Sequence, residues 1–485
     1  MKYISSGCYQ RQTMATKSAR AAKKKPGTTP SRKPGARPGR KRVKAKTAGP
    51  AKPEILAPAG SLECFHAALD AGADAVYVGL PELNARIRAK NFTIKTLSYV
   101  VPYAHKHKIK VQVALNTLVK QHELRPLLTT LHQLQQIGID ALIVQDLGLA
   151  HIVREHFPRL ALHASTQMAI HNTLGIQAAR DAGFERAILA RELTSREIEY
   201  IRRSTDMELE VFVHGALCYC ISGLCLASSF LGGQSGNRGR CTQVCRRRFS
   251  ALEKSGFYFS PKDLSLVDHV HQLARIGINS LKIEGRMKSA EYVHTVVSAY
   301  RAVLDTPEKL EDIKEGLAHD FGREKTTLYF NGFGQTDIIE PAKPSGTGLF
   351  LGTVSSVRGN AVTVRTAFRL EPGDRLRFHG EEGFEGDAAR IDDVKRESFR
   401  AIVKLKQDIE AGPGSFVYLT GRKSAHKGAW SKEKISGTPA RFANTFPGAA
   451  RILKKYGKAK TAKPDGGQDR LYLRIDNVEW LHQLS

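Results

Sequence analysis

Short apolar runs alternate with amphipathic stretches from residue 54 to about 304, and this alternation constrains the chain more than any other feature. The runs are Glu54–Gly60, Ala75–Leu80, Lys110–Thr117, Ala141–Asp146, Leu160–Thr166, Arg186–Leu193, Leu209–Gly215 and Ser280–Gly285, eight in all. Each is nearly all apolar until its last residues, the pattern of a parallel strand covered on both faces. Helical periodicity fills the gaps, at 62–72, 122–137, 172–183, 195–204 and 265–277 among others. Gly72, Gly138, Gly183 and Gly277 stand where those helices should stop. The residue past a last helical turn often needs a positive φ, which glycine adopts without a Cβ clash. Eight βα units in ~250 residues match the count and size of a (β/α)8 TIM-type barrel. An open doubly wound sheet is the alternative.

Residues 216–264 interrupt the repeat after the seventh strand with an insertion that holds most of the cysteines and the run Gly232–Arg240. In a barrel this insertion emerges at the C-terminal face, where active sites lie. A helix near 290–304 completes the barrel, residues 305–345 read as a connector, and 346–422 switch to short strands between glycine turns. That region predicts a small all-β barrel. Residues 423–468 are rich in Lys, Gly and Pro and read as a mobile linker, and 469–485 as a terminal strand and helix fragment.

The formal net charge is +28, and residues 1–53 carry 16 Lys/Arg with no Asp/Glu. Such a segment cannot bury a core, so a disordered basic tail is expected, with Met14 as an alternative start to Met1. A polycation beside an already basic body suits a polyphosphate partner, RNA above all. A purely solubilising tail is the plainer reading. No apolar run is long enough for a membrane span and no signal peptide is present, so a cytoplasmic location without membrane contact is expected.

Cys218, Cys220, Cys225, Cys241 and Cys245 lie within 28 residues of one another, while Cys8 and Cys64 stand alone. Thiolates bunched in this way suit a soft site. The ligand set reads as Cys218, Cys225, Cys241 and Cys245. The open spacing of Cys218 and Cys225 fits an iron–sulfur cluster better than a zinc knuckle, with zinc or unligated thiols as the alternatives. Cys220 is then a packed thiol or a spare ligand.

Polar residues end the apolar runs. Asn116, Gln145, Asp146, His163, Ser165, Arg191, Glu192, His214, Lys282, Glu284 and Arg286 are expected at the barrel mouth, approached by Lys262 and Asp263 from the insertion. Arg191, Lys262, Asp263 and Arg286 read as substrate-binding groups, with the arginines forking carboxylates or phosphates. His163, His214, Lys282 and Glu284 read as catalytic candidates for proton transfer. The plain alternative is capping or layer-filling, with Glu284 serving only to pair Lys282. Arg238, Arg240, Arg246, Arg247 and Arg248 bracket the last two cysteines and read as a rim for an RNA backbone, or as a shield for cluster charge. Tyr219 and Phe230 could each stack on an unstacked base, with core packing the favoured reading for Phe230. There is no H-E-x-x-H helix and no G-x-S-x-G elbow, though His214 beside Cys218 leaves a Cys–His peptidase open.

The segment Glu208–Ser229 resembles the signature of the U32 family of collagenase-like peptidases, with Glu210, Phe212, Gly215, Cys218, Gly223, Cys225 and Ser228 in place. Leu56–Gly79 and Ser260–Ser289 resemble the family's flanking motifs. The resemblance implies oxygen-independent hydroxylation through a 4Fe-4S cluster. Its RNA branch acts on an rRNA cytidine, expected first here, or on the tRNA wobble uridine, and prephenate is the implied oxygen donor. Iron–sulfur assembly and electron-transfer proteins are implied partners. Cys218, Cys225 and at least one of Cys241 and Cys245 carry over as cluster ligands. This chain departs from the family at Ser265, where many relatives have cysteine, so both Cys241 and Cys245 are expected to ligate.

Overall fold

A computed structural model describes residues 52–456, apart from 252, 318–321, 335–336, 340, 342–347, 381–384, 423–429, 431–434 and 436. The basic tail and residues 469–485 lie outside the described residues.

All eight expected strands form, trimmed to their buried cores: β1 (Glu54–Pro58), β2 (Ala75–Gly79), β3 (Lys110–Leu115), β4 (Ala141–Val144), β5 (Ala161–Ala164), β6 (Arg186–Ile188), β7 (Glu208–Ala216) and β8 (Ser280–Ile283). They pair in parallel in chain order, and β8 bonds both β7 and β1. The sheet is therefore closed, which excludes the doubly wound alternative. Helices α1 (Leu62–Asp70), α2 (Ile94–Lys106), α3 (Leu124–Ile137), α4 (Leu147–His156), α5 (Thr173–Asp181), α6 (Ser195–Arg203), α8 (Val270–Ile276) and α9 (Ala290–Asp305) surround it, and the short α7 (Ala227–Gly232) lies in the insertion. Ser61, Asp146, Asn172, Thr194 and Ser289 cap the starts of α1, α4, α5, α6 and α9 through side-chain oxygens. The four punctuating glycines have φ between 82° and 92°.

One irregularity matters for the site. The β7–β8 register runs Lys282↔Phe212 and then Ile283↔His214, so Val213 is a bulge. The residue after a bulge is re-aimed.

The small barrel has six antiparallel strands: β9 (Leu349–Arg358), β10 (Ala361–Arg365), β11 (Arg375–His379), β12 (Glu385–Glu397), β13 (Arg400–Leu405) and β14 (Phe416–Gly421). It closes in the order β9-β10-β13-β12-β11-β14 around its own core, including Val354, Val362, Leu376, Ile391, Val403 and Val417. The connector carries α10 (Leu310–Leu317) and a short strand, Lys325–Thr326, beside the insertion strand Asp263–Ser265.

The expected mobile linker is corrected in part. Residues 437–456 dock on the barrel and end in α11 (Ala449–Tyr456). Ala440 donates to the Ser98 carbonyl at 2.7 Å, Ala443 donates to Gln136 at 2.7 Å, and Phe446 stacks on His132 at 4.6 Å. Lys455 pairs with Glu155 at 2.7 Å. A few apolar anchors suffice to order a segment whose composition reads as loop.

Candidate active site

Glu284 follows β8 at the C-terminal end of the barrel. It accepts from Arg191 Nη2 at 2.9 Å and from Arg86 Nη2 at 3.4 Å. Arg191 lies 3.8 Å over the Phe212 ring and also donates to the Ala216 carbonyl at 2.9 Å. Two residues on, Arg286 is 4% exposed and donates Nη2 to Asn84 at 2.8 Å, while its Nη1 has no partner among the described residues. Gly79 makes room for it, because a Cβ there would lie 1.9 Å from Arg286 Nη1. Burial opposes the Glu284 charge, but Arg86, Arg191 and Arg286 outweigh it and hold the carboxyl at about 2. Burial, with repulsion from Arg86, brings Arg286 down to about 10. Two guanidinium groups thus bond one carboxylate and a third acts on it through its charge, leaving the mouth with excess positive charge and, among the described residues, an unused buried donor. Beside it a cavity of about 460 Å³, lined by Ser61, Cys64, Arg88, Arg286, Lys288 and Trp430 among others, opens at the starts of α1 and α9.

Several expected mouth residues sit elsewhere. Lys282 points down the barrel to Glu210 at 2.8 Å, not to Glu284. Arg186 joins the same layer, bonding Glu210 at 3.1 Å and also Glu54. Glu210 and Glu54 are both level with Ser280, the first residue of β8, which fixes this network below the mouth. His163 belongs to that layer, 3.3 Å from Gln112. Burial, then the charges of Arg186 and Lys282, push its pKa well below the usual histidine range. Lys282 and His163 are therefore interior groups, away from the substrate face. His214 is displaced by the bulge: fully buried, it lies against Tyr300 and Tyr292 of α9, with Nδ1 3.4 Å from the Tyr300 hydroxyl. Lys262 is held by Glu324 at 3.2 Å and by Asp337, and Asp263 by Arg323 at 3.0 Å. These pairs fasten the insertion to the connector and so occupy both groups. Asn116 accepts from Ala85 N at 3.0 Å, Asp146 caps α4, and Glu192 accepts from Ser222 N and Oγ at 2.7 and 2.8 Å, pinning the cysteine loop.

The insertion brings its thiols within electrostatic reach of one another. Burial raises Cys218, and the neighbouring Cys225 and Cys241 add to it against the pull of Arg191. Cys245 is likewise raised by burial and by Cys218, Cys241 and Cys225, against Arg246. Cys241 Sγ accepts from Gln243 N at 3.3 Å, and Cys220 donates to the Leu224 carbonyl at 3.3 Å. Among the described residues no group of three or more His, Cys, Asp or Glu has the spacing that a single metal ion requires.

The arginine rim divides. Arg240, Arg247 and Arg248 are exposed, as a nucleic-acid contact requires. Arg246 is an internal clamp: it donates to the Leu217 carbonyl at 2.6 Å, to Ser260 at 2.9 Å and to the Pro261 carbonyl, which ties the two ends of the insertion together. Arg238 is held by Glu123 and the Leu118 carbonyl. Phe230 is also corrected: it is 81% exposed.

Arg86 and Asn84 were not among the expected site residues. Both lie in the loop after β2, and the signal for them was topological: every loop that follows a strand reaches the mouth, so its polar residues count as candidates.

A closed parallel barrel with an arginine-rich mouth and a thiol-bearing loop after its seventh strand defines a (β/α)8 protein. The family model of peptidase family U32 matches residues 60–339, and the chain belongs to that family. It is 34% identical over 406 residues to the tRNA hydroxylation protein P1 of Bacillus subtilis, covering 76% of this chain and 94% of that one. A protein of Methanocaldococcus jannaschii named as an uncharacterised protease is 39% identical over 299 residues, 57% of this chain and 72% of that one. The 23S rRNA 5-hydroxycytidine synthase of Escherichia coli is 36% identical over 342 residues, 67% of this chain but only 52% of that longer one.

Proposed function

We propose that this protein hydroxylates a pyrimidine in RNA, with the barrel mouth binding an anionic oxygen donor and the insertion presenting the RNA. The observation that carries the proposal is the mouth: three arginines against one carboxylate, with Arg286 Nη1 buried and unused. A buried donor without a partner costs about 1–3 kcal/mol, so a ligand acceptor there is favoured. A dianionic acid such as prephenate matches both the charge and the fork geometry of arginine. The relative matched over 94% of its length is named for tRNA, which puts tRNA ahead of the rRNA order expected above.

Arg86, Arg191 and Arg286 would bind the donor. Glu284 stays ionised and aligns Arg86 and Arg191, so its part is positioning and not proton transfer. Glu210, Arg186 and Lys282 form the rigid floor, and Glu192 and Arg246 hold the cysteine loop against the rim. Cys218, Cys225, Cys241 and Cys245 fit a 4Fe-4S cluster by donor chemistry and mutual proximity, with Arg191 and Arg246 offsetting their charge; such a cluster supplies one-electron chemistry beside the mouth. The exposed Arg240, Arg247 and Arg248 would contact the RNA backbone, joined by the basic tail. Electron-transfer and cluster-assembly proteins are the further partners. The hydrolytic alternative loses support, since His214 is fully buried and packs against Tyr292 and Tyr300 of α9.

The test is a deletion strain whose tRNA and rRNA are digested to nucleosides and weighed. One nucleoside should become lighter by one oxygen. Wild-type protein should restore it, while Arg286→Ala should not. An unchanged nucleoside set would refute the proposal.

A further inference from the structure

Helix α7 is inverted. It buries Ser228, 2% exposed, and presents Phe230 and Leu231 to solvent at 81% and 63%, with Leu226 beside them at 66%. Folding alone would do the reverse, since apolar area is stabilised by leaving water. The inversion is held in place. Ser228 Oγ accepts from Thr242 N at 3.1 Å and lies 4.0 Å from Cys241 Sγ, and the Ser228 carbonyl accepts from Gln234 N at 3.0 Å. The apolar knob is therefore rigidly indexed to a cysteine of the insertion. Three apolar side chains within six residues are thus exposed together, while Ile221 at 61% and Tyr219 at 52% are further exposed apolar groups of the same insertion.

Charge selects the occupant. Residues 216–251 contain five arginines and no Asp or Glu, and Arg240, Arg247 and Arg248 are exposed in the same insertion as the knob. A polyanion with apolar faces fits, and a nucleic acid has both. An enzyme that works on a ring atom of a stacked base must first take that base out of the stack. Apolar side chains pushed between bases are one way to hold a stack open.

We propose that Phe230, flanked by Leu226 and Leu231, is a wedge that inserts into the RNA stack in place of the target base and holds that base extruded toward the mouth. The inference rests on the RNA reading above. It makes Phe230 a positioning residue, touching bases next to the target and not the reacting atoms.

The experiment uses full-length protein purified without air and a tRNA transcript with 2-aminopurine next to the wobble uridine. Wild type should raise the 2-aminopurine fluorescence on binding, because the phenyl ring that replaces the extruded base quenches the reporter less than a stacked base does. Phe230→Ala should remove the rise and slow single-turnover modification of the tRNA about tenfold to a hundredfold, the loss expected for one base–aromatic stack. On a short single-stranded oligonucleotide of the same loop sequence, the variant should match wild type. Phe230→Leu, which keeps an apolar wedge without an aromatic quencher, should keep the fluorescence rise and most of the rate and guards against a folding defect. A Phe230→Ala protein that keeps the fluorescence rise, or slows equally on tRNA and oligonucleotide, overturns the wedge and leaves the knob to a protein partner. Modification and fluorescence separate the two readings: wild type that opens the tRNA without modifying it sinks the proposed reaction and supports the wedge.

Discussion

Replacing Glu284 with Gln removes the carboxylate that Arg86, Arg191 and Arg286 hold ionised while keeping the side chain's shape. The carboxyl sits at about 2 against an ordinary 4.5. At about 1.4 kcal/mol per pH unit, that gap amounts to about 3 kcal/mol of stability carried by the ionised form. The sign follows from the direction. A depressed folded pKa stabilises the fold above the unfolded value, so the contribution is complete above pH ~4.5 and is lost as pH falls toward ~2. Glu284→Gln should therefore lower the unfolding free energy of the large barrel by about 3 kcal/mol at pH 7. The difference from wild type should shrink steadily below pH ~4.5. Urea unfolding followed by tryptophan fluorescence and circular dichroism, at intervals from pH 7 down to ~3, reads both quantities. A variant within about 0.5 kcal/mol of wild type at pH 7, or a difference that does not change with pH, refutes the electrostatic account of the mouth.

Three further outcomes are expected. Lys282→Met should cost about 3–5 kcal/mol in the same unfolding assay, because Glu210 is left in the interior with Arg186 alone; a loss below about 1 kcal/mol would mean the floor network is not structural. Gly79→Ala should displace the Arg286 guanidinium and weaken binding of prephenate about tenfold or more by calorimetry, at a cost of about 1–3 kcal/mol in unfolding free energy; unchanged affinity would remove Arg286 from the ligand site. Cys218→Ala should abolish bound iron and acid-labile sulfide in anaerobically purified protein, whereas Cys220→Ser should retain them; zinc in the wild type, or iron in Cys218→Ala, would end the four-thiolate assignment.

How much of this was legible before the fold can be argued from particular residues. All eight barrel strands were, because a strand covered on both faces needs an unbroken apolar run whatever its partners. Five of the six small-barrel strands were legible too, in the apolar runs 348–357, 360–367, 373–380, 399–406 and 414–421. The missing one, Glu385–Glu397, is crowded with charges and carries its inward face on few residues such as Ile391. The docking of 437–456 was hidden because its anchors, Phe446 on His132 among them, are supplied by helices some 300 residues earlier. The site was half legible. Arg191, Glu284 and Arg286 could be placed at the mouth from their positions at strand ends, and the exposed arginines from their run beside the cysteines.

What the sequence determined by itself was periodic and local: barrel class, the loop that carries the thiols, and the face on which it stands. Those properties follow from the backbone's own repeat and from spacing along the chain. Partnership was decided only in three dimensions. Glu284 meets Arg86 across 198 residues and Lys282 meets Glu210 across 72. A single extra residue at Val213 turns His214 from the barrel interior to the helix layer. A side chain's direction depends on register and closure, and neither is written in the residues that bear it.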